Sequence, residues 1–332
     1  MSSRTLIVLL AALGVLVALA FAVSVSEKEP ASAGGGLLLP AIKDEINAIE
    51  RVVVRTAGDN IAATLVRGET GWTVAERDNY PADTGRLRKL LIELAEARIL
   101  EEKTSNPEYY DRLKVEDIAK ETAGGVELEL TAGKSVTKLI VGSVQGGGER
   151  CYVRRSGEKP SWLVSGGLAI ARDATGWLDK SLVDIAAEKV SKVTITFPDG
   201  SSTRLAREKP DAPDLAVLDM PAGRELGWPG VTNAVAGALA ELAFDAVRPA
   251  AGFDPGGVKP IVARFETSDG EVVEASTYTL PAGEQVRISV SKDEALQARL
   301  ANWVYTLPDY KGEQFTKRLE DLLGPSATAD AP

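Results

Sequence analysis

The sequence predicts an α+β protein built from an internally duplicated unit of antiparallel strands and amphipathic helices, preceded by one N-terminal transmembrane helix. Three observations lead to this prediction. Short stretches in which apolar and polar residues alternate, as in half-buried antiparallel strands, recur between turn residues. Residues 165–178 and 291–304 match at a constant spacing, with Trp177 aligned with Trp303. Residues 6–23 form an uninterrupted apolar run.

The apolar run is long enough to cross a bilayer. As a helix, residues 6–23 would extend about 27 Å, close to the thickness of the hydrocarbon core. We therefore predict an anchor over residues 1–26, inserted in the membrane through residues 5–25. Small residues at 20–22 also suit a cleaved signal peptide, an alternative that the length of the run disfavours. Arg4 favours a single-pass inner-membrane protein with a cytoplasmic N-terminus and a periplasmic main domain.

Composition divides the rest of the chain into four segments. Residues 27–45 include a stretch rich in glycine and proline, which predicts a flexible linker. Residues 37–39 could pack against the folded part. The first α+β unit is predicted over residues 46–185 and its repeat over residues 187–323. Residues 324–332, which are acidic and contain alanine and proline, are expected to be a disordered tail.

In the first unit, alternation between turn signals predicts a series of strands. They lie at residues 51–56, 61–67, 71–74, 126–131, 136–141, 151–155 and 161–164. The clearest helix follows Asp83 and Thr84, which can cap it, and its apolar residues recur at helical spacing. These residues are Leu87, Leu90, Leu91, Leu94 and Ala95. A short helix is expected before Trp177.

The second unit repeats this order. Strands are predicted at residues 192–197, 202–207, 215–218, 261–267, 271–278 and 285–290. A helix containing Val231 and Val235 corresponds to the helix of Leu87. Ser291 and Glu294 have the spacing of a capping box at the start of a closing helix. The apolar stripe of that helix comprises Leu296, Leu300, Trp303 and Val304.

Composition disfavours several kinds of function. The chain has no histidine, which removes the commonest general base, the histidine-dependent triads and the histidine zinc sites. Cys151 is the single cysteine, so intrachain disulfides and multi-cysteine metal sites are excluded. The net charge of −10 would repel a phosphate backbone, so nucleic acid is not an expected partner. We expect no catalytic residue, no cofactor and no metal.

Several residues are nevertheless candidates for contact with a partner. Residues 133–135 end like a phosphate-binding loop but join two strands, which indicates a turn. The glycines of residues 146–148 predict a flexible hairpin loop, and Tyr109 and Tyr110 are expected to be exposed. Trp177 and Trp303 are interpreted as core residues rather than ligand-stacking ones. The predicted partner-contact surface comprises Tyr109, Tyr110, Arg112, Gly146, Gly147 and Gly148.

Five short segments together resemble one bacterial family. They are Gly71-Trp72-Thr73-Val74, Tyr80-Pro81-Ala82-Asp83, the helix at 87–99, Tyr110-Asp111-Arg112-Leu113 and Trp177-Leu178-Asp179-Lys180-Ser181-Leu182. The set resembles the domain-of-unknown-function family 4340 over residues 46–323, and the N-terminal anchor also fits this family. Where that family commonly has a Tyr-Gly-Leu-type turn, this chain has Asp111 and Arg112 after the tyrosine.

The resemblance implies a setting rather than a reaction. The family has no established activity, so no catalytic residue is implied. Its members are often encoded beside ABC-type transport systems akin to the gliding-motility exporters, with an auxiliary extracytoplasmic subunit. The resemblance therefore implies an ABC-type permease and auxiliary subunits as partners.

We accordingly expect a non-catalytic binding or scaffold subunit of an ABC-type transport system in the cell envelope. Two alternatives stay open. One is an envelope hydrolase that uses paired carboxylates. The other is a solute- or glycan-binding protein with a site between the two units. A flat apolar patch would favour the scaffold, whereas a groove lined by aromatic residues and paired carboxylates would favour the alternatives.

Overall fold

The structure, a computed structural model, describes residues 35–325 and divides them into two compact units. The first unit contains the described residues of Met1–Arg67 together with Gly85–Asp173. The second contains Gly68–Thr84 and the described residues from Ala174 onward. The predicted anchor and residues 326–332 of the predicted tail lie outside the described range. Among the helices within residues 35–325, none combines the length and apolarity of a membrane span.

The described chain is α+β with antiparallel sheets, as predicted. Its helices are α1 (Pro40–Glu45), α2 (Thr84–Glu96), α3 (Tyr110–Leu113), α4 (Val231–Ala236), α5 (Glu294–Ala301) and α6 (Asp309–Phe315). The first ten strands are β1 (Ile49–Thr56), β2 (Asn60–Gly68), β3 (Gly71–Val74), β4 (Tyr80–Pro81), β5 (Ile99–Thr104), β6 (Val126–Ala132), β7 (Ser135–Gln145), β8 (Arg150–Arg155), β9 (Ser161–Ser165) and β10 (Ser181–Val183). The others are β11 (Val190–Thr196), β12 (Ser202–Ala206), β13 (Ala216–Val217), β14 (Leu242–Ala243), β15 (Ala246–Pro249), β16 (Ile261–Thr267), β17 (Val272–Leu280), β18 (Gly283–Val290) and β19 (Trp303–Thr306).

Seven strands of the first unit are neighbours in its sheet, in the order β2-β1-β6-β7-β8-β9-β5. Val52, Val53 and Val54 of the central strand β1 are all fully buried, so both faces of the sheet are covered at this point. Helix α2 buries the five residues that the sequence pattern predicts, among them Leu87 and Leu94. The apolar stripe of α2 is therefore part of the core.

The sheet of the second unit contains eight strands in the order β13-β12-β11-β16-β17-β18-β19-β15. Val193 and Ile195 of β11 lie in its core, and the ring of Phe315 on α6 packs edge-on against Phe265 at 5.5 Å. Strands β10 and β14 form a separate antiparallel pair. Seven neighbouring strands of this sheet, β12-β11-β16-β17-β18-β19-β15, have the same spatial order as the seven strands β2-β1-β6-β7-β8-β9-β5 of the first unit.

The two matched tryptophans occupy different places in this repeated order. Trp303 begins β19, whereas Trp177 ends a 3-10 helix, Ala174–Trp177, that follows the first sheet. The strand that corresponds to β19 is β9, which contains Trp162. The constant spacing misaligns the two copies because α5 is inserted before β19, whereas β8 and β9 are joined directly by residues 156–160. Trp177 is fully buried, as expected of a core residue.

The closing helix also starts later than predicted. Asp293 is its N-cap, because the carboxylate of Asp293 accepts a hydrogen bond from the Leu296 amide at 2.9 Å. The hydroxyl of Ser291 donates instead to Glu271 at 2.9 Å. The helix ends at Ala301, so Trp303 and Val304 belong to β19 and not to the helical stripe.

Part of the predicted linker belongs to the first unit. Within residues 35–45, helix α1 forms, and Leu38, Leu39 and Ile42 are almost completely buried. The Leu38 amide donates to the Ala97 carbonyl at 2.7 Å, which attaches this segment to the folded chain. The expectation of a flexible linker is therefore wrong for residues 35–45, because their apolar side chains gain more from burial than the chain loses in freedom.

Candidate functional site

The predicted tyrosine surface divides into an exposed and a buried part. Tyr109 is 44% exposed, and the guanidinium of Arg112 lies 4.9 Å from the centre of its ring. Tyr110 is 5% exposed, and its hydroxyl donates to the main-chain oxygen of Lys159 at 2.5 Å. The expected exposure of Tyr110 is wrong, since a phenol whose hydroxyl reaches a carbonyl is readily buried.

The predicted glycine loop is an exposed turn between β7 and β8. Gly146, Gly147 and Gly148 all have positive φ, which explains the need for glycine at these positions. The turn packs beside Arg150 and Gly167, and a side chain on Gly147 or Gly148 would meet open space. The turn remains a candidate contact surface on the first unit.

A buried arginine organises one face of the first sheet. Arg154 on β8 is 2% exposed, and its Nε donates to the Val115 carbonyl at 2.7 Å. Its Nη1 donates to the Glu158 carbonyl at 2.9 Å, and its Nη2 forms an ion pair with Asp117. The guanidinium lies 4.7 Å from the centre of the Tyr110 ring. The connection between β5 and β6, which contains Tyr110 and Asp117, therefore covers this face and satisfies the arginine.

The strand register identifies the corresponding arginine of the second sheet. Arg154 pairs across the strands with Ile140, and Arg287 on β18 pairs in the same way with Ser276. The rows of paired residues that contain them are Arg55-Glu127-Ile140-Arg154 and Thr196-Val262-Ser276-Arg287. Arg55 and Thr196 begin the two rows, and each follows the valine-containing segment that the copies share. Arg287 is thus the counterpart of Arg154.

Arg287 has a different environment from its counterpart. It is exposed, and among residues 35–325 no carboxylate lies within ion-pairing distance of its guanidinium. It lines a depression of about 190 Å³ together with Ser276, Tyr278 and Glu274. The carboxylate of Glu274 pairs with Arg264 instead, at 3.8 Å. The charge of Arg287 is therefore not compensated by a carboxylate of the described chain.

The same face of the second sheet carries a larger groove of about 710 Å³. Ala246 pairs with Thr306 and Arg248 pairs with Val304, so these four side chains project from one face. Ala246, Arg248 and Thr306 are accessible in the floor of the groove, whereas Val304 is fully buried beneath it. The two walls are the loop at 254–258 and the turn at 280–282. We call this surface the outer face of the second sheet. It comprises Arg248, Tyr278, Gln285, Arg287 and Thr306.

Phe253 fixes the loop that forms one wall of the groove. Its ring packs edge-on against Tyr278 at 5.2 Å, and the guanidinium of Arg248 lies 4.9 Å from its centre. The loop belongs to the connection between β15 and β16, the counterpart of the connection that carries Tyr110. This connection is shorter in the second unit, and the groove lies beside it.

The polar groups of the groove, apart from Arg248, are largely satisfied by their neighbours. The Gln285 amide donates to the Thr306 hydroxyl and to the Glu284 carbonyl, each at 3.0 Å. The Asp254 carboxylate accepts a hydrogen bond from the Gly256 amide at 2.8 Å. Arg248 contacts the Phe253 ring and forms no ion pair among the described residues. The groove thus offers apolar surface and a positive charge.

A second pocket of the second unit, of about 340 Å³, contains several carboxylates with structural roles. Asp184 accepts from the Glu241 amide, and Asp293 caps α5. Burial raises the pKa of Glu271, but hydrogen bonds from Ser291 and Lys292 outweigh this effect and hold the pKa below its usual value. Within residues 35–325 no group of three or more aspartate, glutamate or cysteine residues is placed to hold a metal ion.

An aromatic cluster lies on the core face of the second sheet. The ring of Tyr80 packs against Phe244 at 5.3 Å and against Trp303 at 4.8 Å, and Phe244 packs against Tyr305 at 5.4 Å. The hydroxyls of Tyr80 and Tyr305 are buried without a hydrogen-bond partner among the described residues. Burial raises the pKa of Tyr80 to about 12, and it also raises the pKa of Tyr305 above its usual value. Both phenols are protonated at neutral pH and act as core side chains.

Sequence reasoning did not find the outer face. Its floor includes β15, whose Ala-Val-Arg-Pro sequence shows no apolar alternation, and β19, whose residues continued a helical pattern. The signal that could have located it is the loop Phe253-Asp254-Pro255-Gly256-Gly257, an aromatic residue followed by turn formers.

One comparison with known proteins gives a match. The model of a family described as "Domain of unknown function (DUF4340)" matches residues 72–259. This range includes the motif segments at 71–74 and 80–83 almost completely, and it extends into the loop that walls the groove. No curated protein and no solved structure matches the chain.

Proposed function

We propose that this chain, which belongs to the DUF4340 family, a domain of unknown function, binds a partner and is not an enzyme. In this proposal the chain is a single-pass inner-membrane protein, anchored by residues 5–25, and its two units lie outside the cytoplasm. There it serves as a binding or scaffold subunit of an ABC-type transport complex. The apolar run at residues 6–23 supports the anchor, since its length suits a bilayer.

The observation that carries the binding role is the groove on the outer face of the second sheet. It is concave, mainly apolar and open, which is the form of a surface that receives another molecule. Its one carboxylate, Asp254, is occupied by a main-chain amide, whereas carboxylate hydrolases use two carboxyl groups on either side of the scissile bond. The lining of the groove therefore supports binding over hydrolysis.

We also propose that the two units arose by duplication of one α+β unit. The seven-strand order common to both sheets supports this proposal, as does the register that relates Arg154 to Arg287. After duplication, the fold would preserve the core of each copy, and a new function would lie where the copies differ. The connection between the fifth and sixth strands of each copy is such a place.

The proposal is tested by purifying the full-length chain from membranes in a mild detergent. We expect ABC-type permease or auxiliary subunits to be recovered with it in stoichiometric amounts. Recovery of the chain alone would count against the scaffold role. A reporter fused after Pro332 tests the topology: it should be active only in a form that functions outside the cytoplasm, and cytoplasmic activity would exclude the orientation.

A further inference from the structure

The first unit shows how this fold covers the face that the second unit leaves open. In the first unit, the connection between β5 and β6 packs Tyr110 and Val115 against Ile140 on β7. The same connection supplies the Asp117 carboxylate and the Val115 carbonyl to Arg154. An aromatic ring, an aliphatic side chain and a carboxylate thus cover one face and satisfy one arginine.

The second unit retains the arginine but lacks the cover. On the strand pair β17–β18, Arg287 and Ser276 occupy the positions that Arg154 and Ile140 occupy on the corresponding pair β7–β8 of the first unit. The connection between β15 and β16 packs Phe253 against Tyr278, and among the described residues it brings no carboxylate to Arg287. The result is an exposed cation beside an apolar groove.

We propose that the outer face of the second sheet binds a segment of a partner polypeptide that carries an aromatic side chain and a carboxylate. The carboxylate pairs with Arg287, while the apolar side chains enter the groove beside Arg248. The chemistry follows from charge complementarity at Arg287 and from the contacts that its counterpart Arg154 makes within this chain. The inference rests on the proposed binding role and specifies which surface is used and what it recognises.

Residues 1–34 and 326–332 of this sequence do not supply such a segment, and residues 109–118 already cover the first unit. Outside the described range the sequence contains one aromatic residue, Phe21, which lies within the apolar run of residues 6–23. Residues 326–332 contain Asp330 but no aromatic residue. A separate polypeptide is therefore the occupant that the chemistry favours.

The test uses the first unit's own covering segment as the probe. A fluorescein-labelled peptide of residues 109–118, which contains Tyr110, Val115 and Asp117, is titrated with the full-length protein in detergent, and its anisotropy is measured. We expect saturable binding that Arg287→Glu in the protein weakens at least tenfold. Arg88→Glu, the same charge reversal on the solvent side of α2, is the matched control and should leave binding unchanged.

A charge swap separates a specific pair from a general electrostatic effect. A peptide with Asp117→Lys should bind the wild-type protein at least tenfold more weakly, and it should recover affinity for the Arg287→Glu protein. Absence of binding at millimolar concentrations, or equal loss in both charge-reversal variants, would overturn the proposal. Binding that is insensitive to Arg287→Glu would also overturn the proposal, because the peptide would then occupy another surface.

The co-purification experiment distinguishes this inference from the broader function. If partner subunits are recovered equally with the wild type and with Arg287→Glu, the binding role stands and the proposed surface is wrong. If no partner is recovered with the wild type but the peptide binds in an Arg287-dependent manner, the surface stands and the transport-complex assignment fails.

Discussion

Arg154 and Arg287 occupy the same position on corresponding strands, yet one is buried and the other is exposed. Their neighbours along the chain are of little help in distinguishing them, because each arginine lies in a strand directly after a valine, Val153 or Val286. The difference comes from the connection between the fifth and sixth strands of each copy. It packs over Arg154 in the first unit and leaves Arg287 uncovered in the second.

The two arginines should therefore respond differently to truncation. Arg154→Ala removes a buried guanidinium together with its three polar contacts. It should lower the free energy of unfolding by about 3 kcal/mol. Arg287→Ala, the matched control, should change it by less than about 0.5 kcal/mol, because an exposed side chain without a partner contributes little. Urea unfolding of both variants measures the effects, and equal destabilisation would show that Arg287 is also buried.

The adjacent tyrosines Tyr109 and Tyr110 also differ in burial for a reason that is not local. Tyr109 and Tyr110 are identical in type and adjacent, so the sequence offers no reason to separate them. Only Tyr110 lies where its hydroxyl reaches the Lys159 carbonyl, forty-nine positions further along the chain. Its burial depends on this long-range contact, which no local pattern indicates.

At the scale of single elements, helix α2 was predictable because its packing is written in its own spacing. Each of the five residues at the predicted positions is buried, and Ile92, which falls outside the stripe, is 42% exposed. Strands β3 and β6 were predictable for a similar reason, since turn residues bound them closely.

A pair of variants in α2 tests how sharply the stripe divides the helix. Leu94→Ala leaves a cavity at a fully buried position and should destabilise the protein by about 3 kcal/mol. Ile92 lies on the opposite, exposed side of the helix, so Ile92→Ala should lower the free energy of unfolding by less than about 1 kcal/mol. The midpoint of thermal or urea unfolding measures both, and comparable losses would mean that the exposed side of α2 is also packed.

Helix α5 was placed with the wrong cap because a tertiary contact competes for Ser291. Glu271 accepts hydrogen bonds from the Ser291 hydroxyl and amide, so Ser291 belongs to the end of the sheet. The cap role then passes to Asp293. In the same way, Trp303 continues the helical spacing of α5 by sequence but pairs with Pro249 of β15 in space.

At the scale of the whole molecule, one buried thiol and two buried phenols make the stability of the fold depend on pH in the alkaline range. Burial raises the pKa of Cys151 from 9.0 to about 12 and that of Tyr80 from 10.0 to about 12, and it raises the pKa of Tyr305 above its usual value. A raised pKa means that the folded chain retains a proton that the unfolded chain has lost. Folding is therefore disfavoured progressively above the unfolded pKa values.

We expect the free energy of unfolding to fall as the pH rises from 9 to 11. Lys311 acts in the opposite direction, because burial lowers its pKa, but it is one group against three. Tyr305→Phe should reduce the loss between pH 10 and 11 and leave stability at pH 7 almost unchanged, since the hydroxyl has no described hydrogen-bond partner. Urea titrations at pH 7, 9, 10 and 11 measure this, and a flat profile in the wild type would refute it.

The proposed duplication belongs to the same scale. The valine-containing segments at the start of each copy match in sequence and also in strand position, on β1 and β11. The tryptophan segments match in sequence but not in position, so the tryptophan match was not a guide to the register. Hydrogen-bonded strand pairing relates the copies reliably because each row of paired residues fixes the next.

The sequence by itself determined the α+β class, the positions of most strands and the core side of α2. These depend on the alternation of apolar residues within short segments, and a segment carries that information without its neighbours. The tertiary structure alone decided which tyrosine and which arginine are buried, where α5 begins, and where the open groove lies. Each of these depends on contacts between residues far apart in the chain, and the same local sequence suits either outcome until the connections between strands are in place.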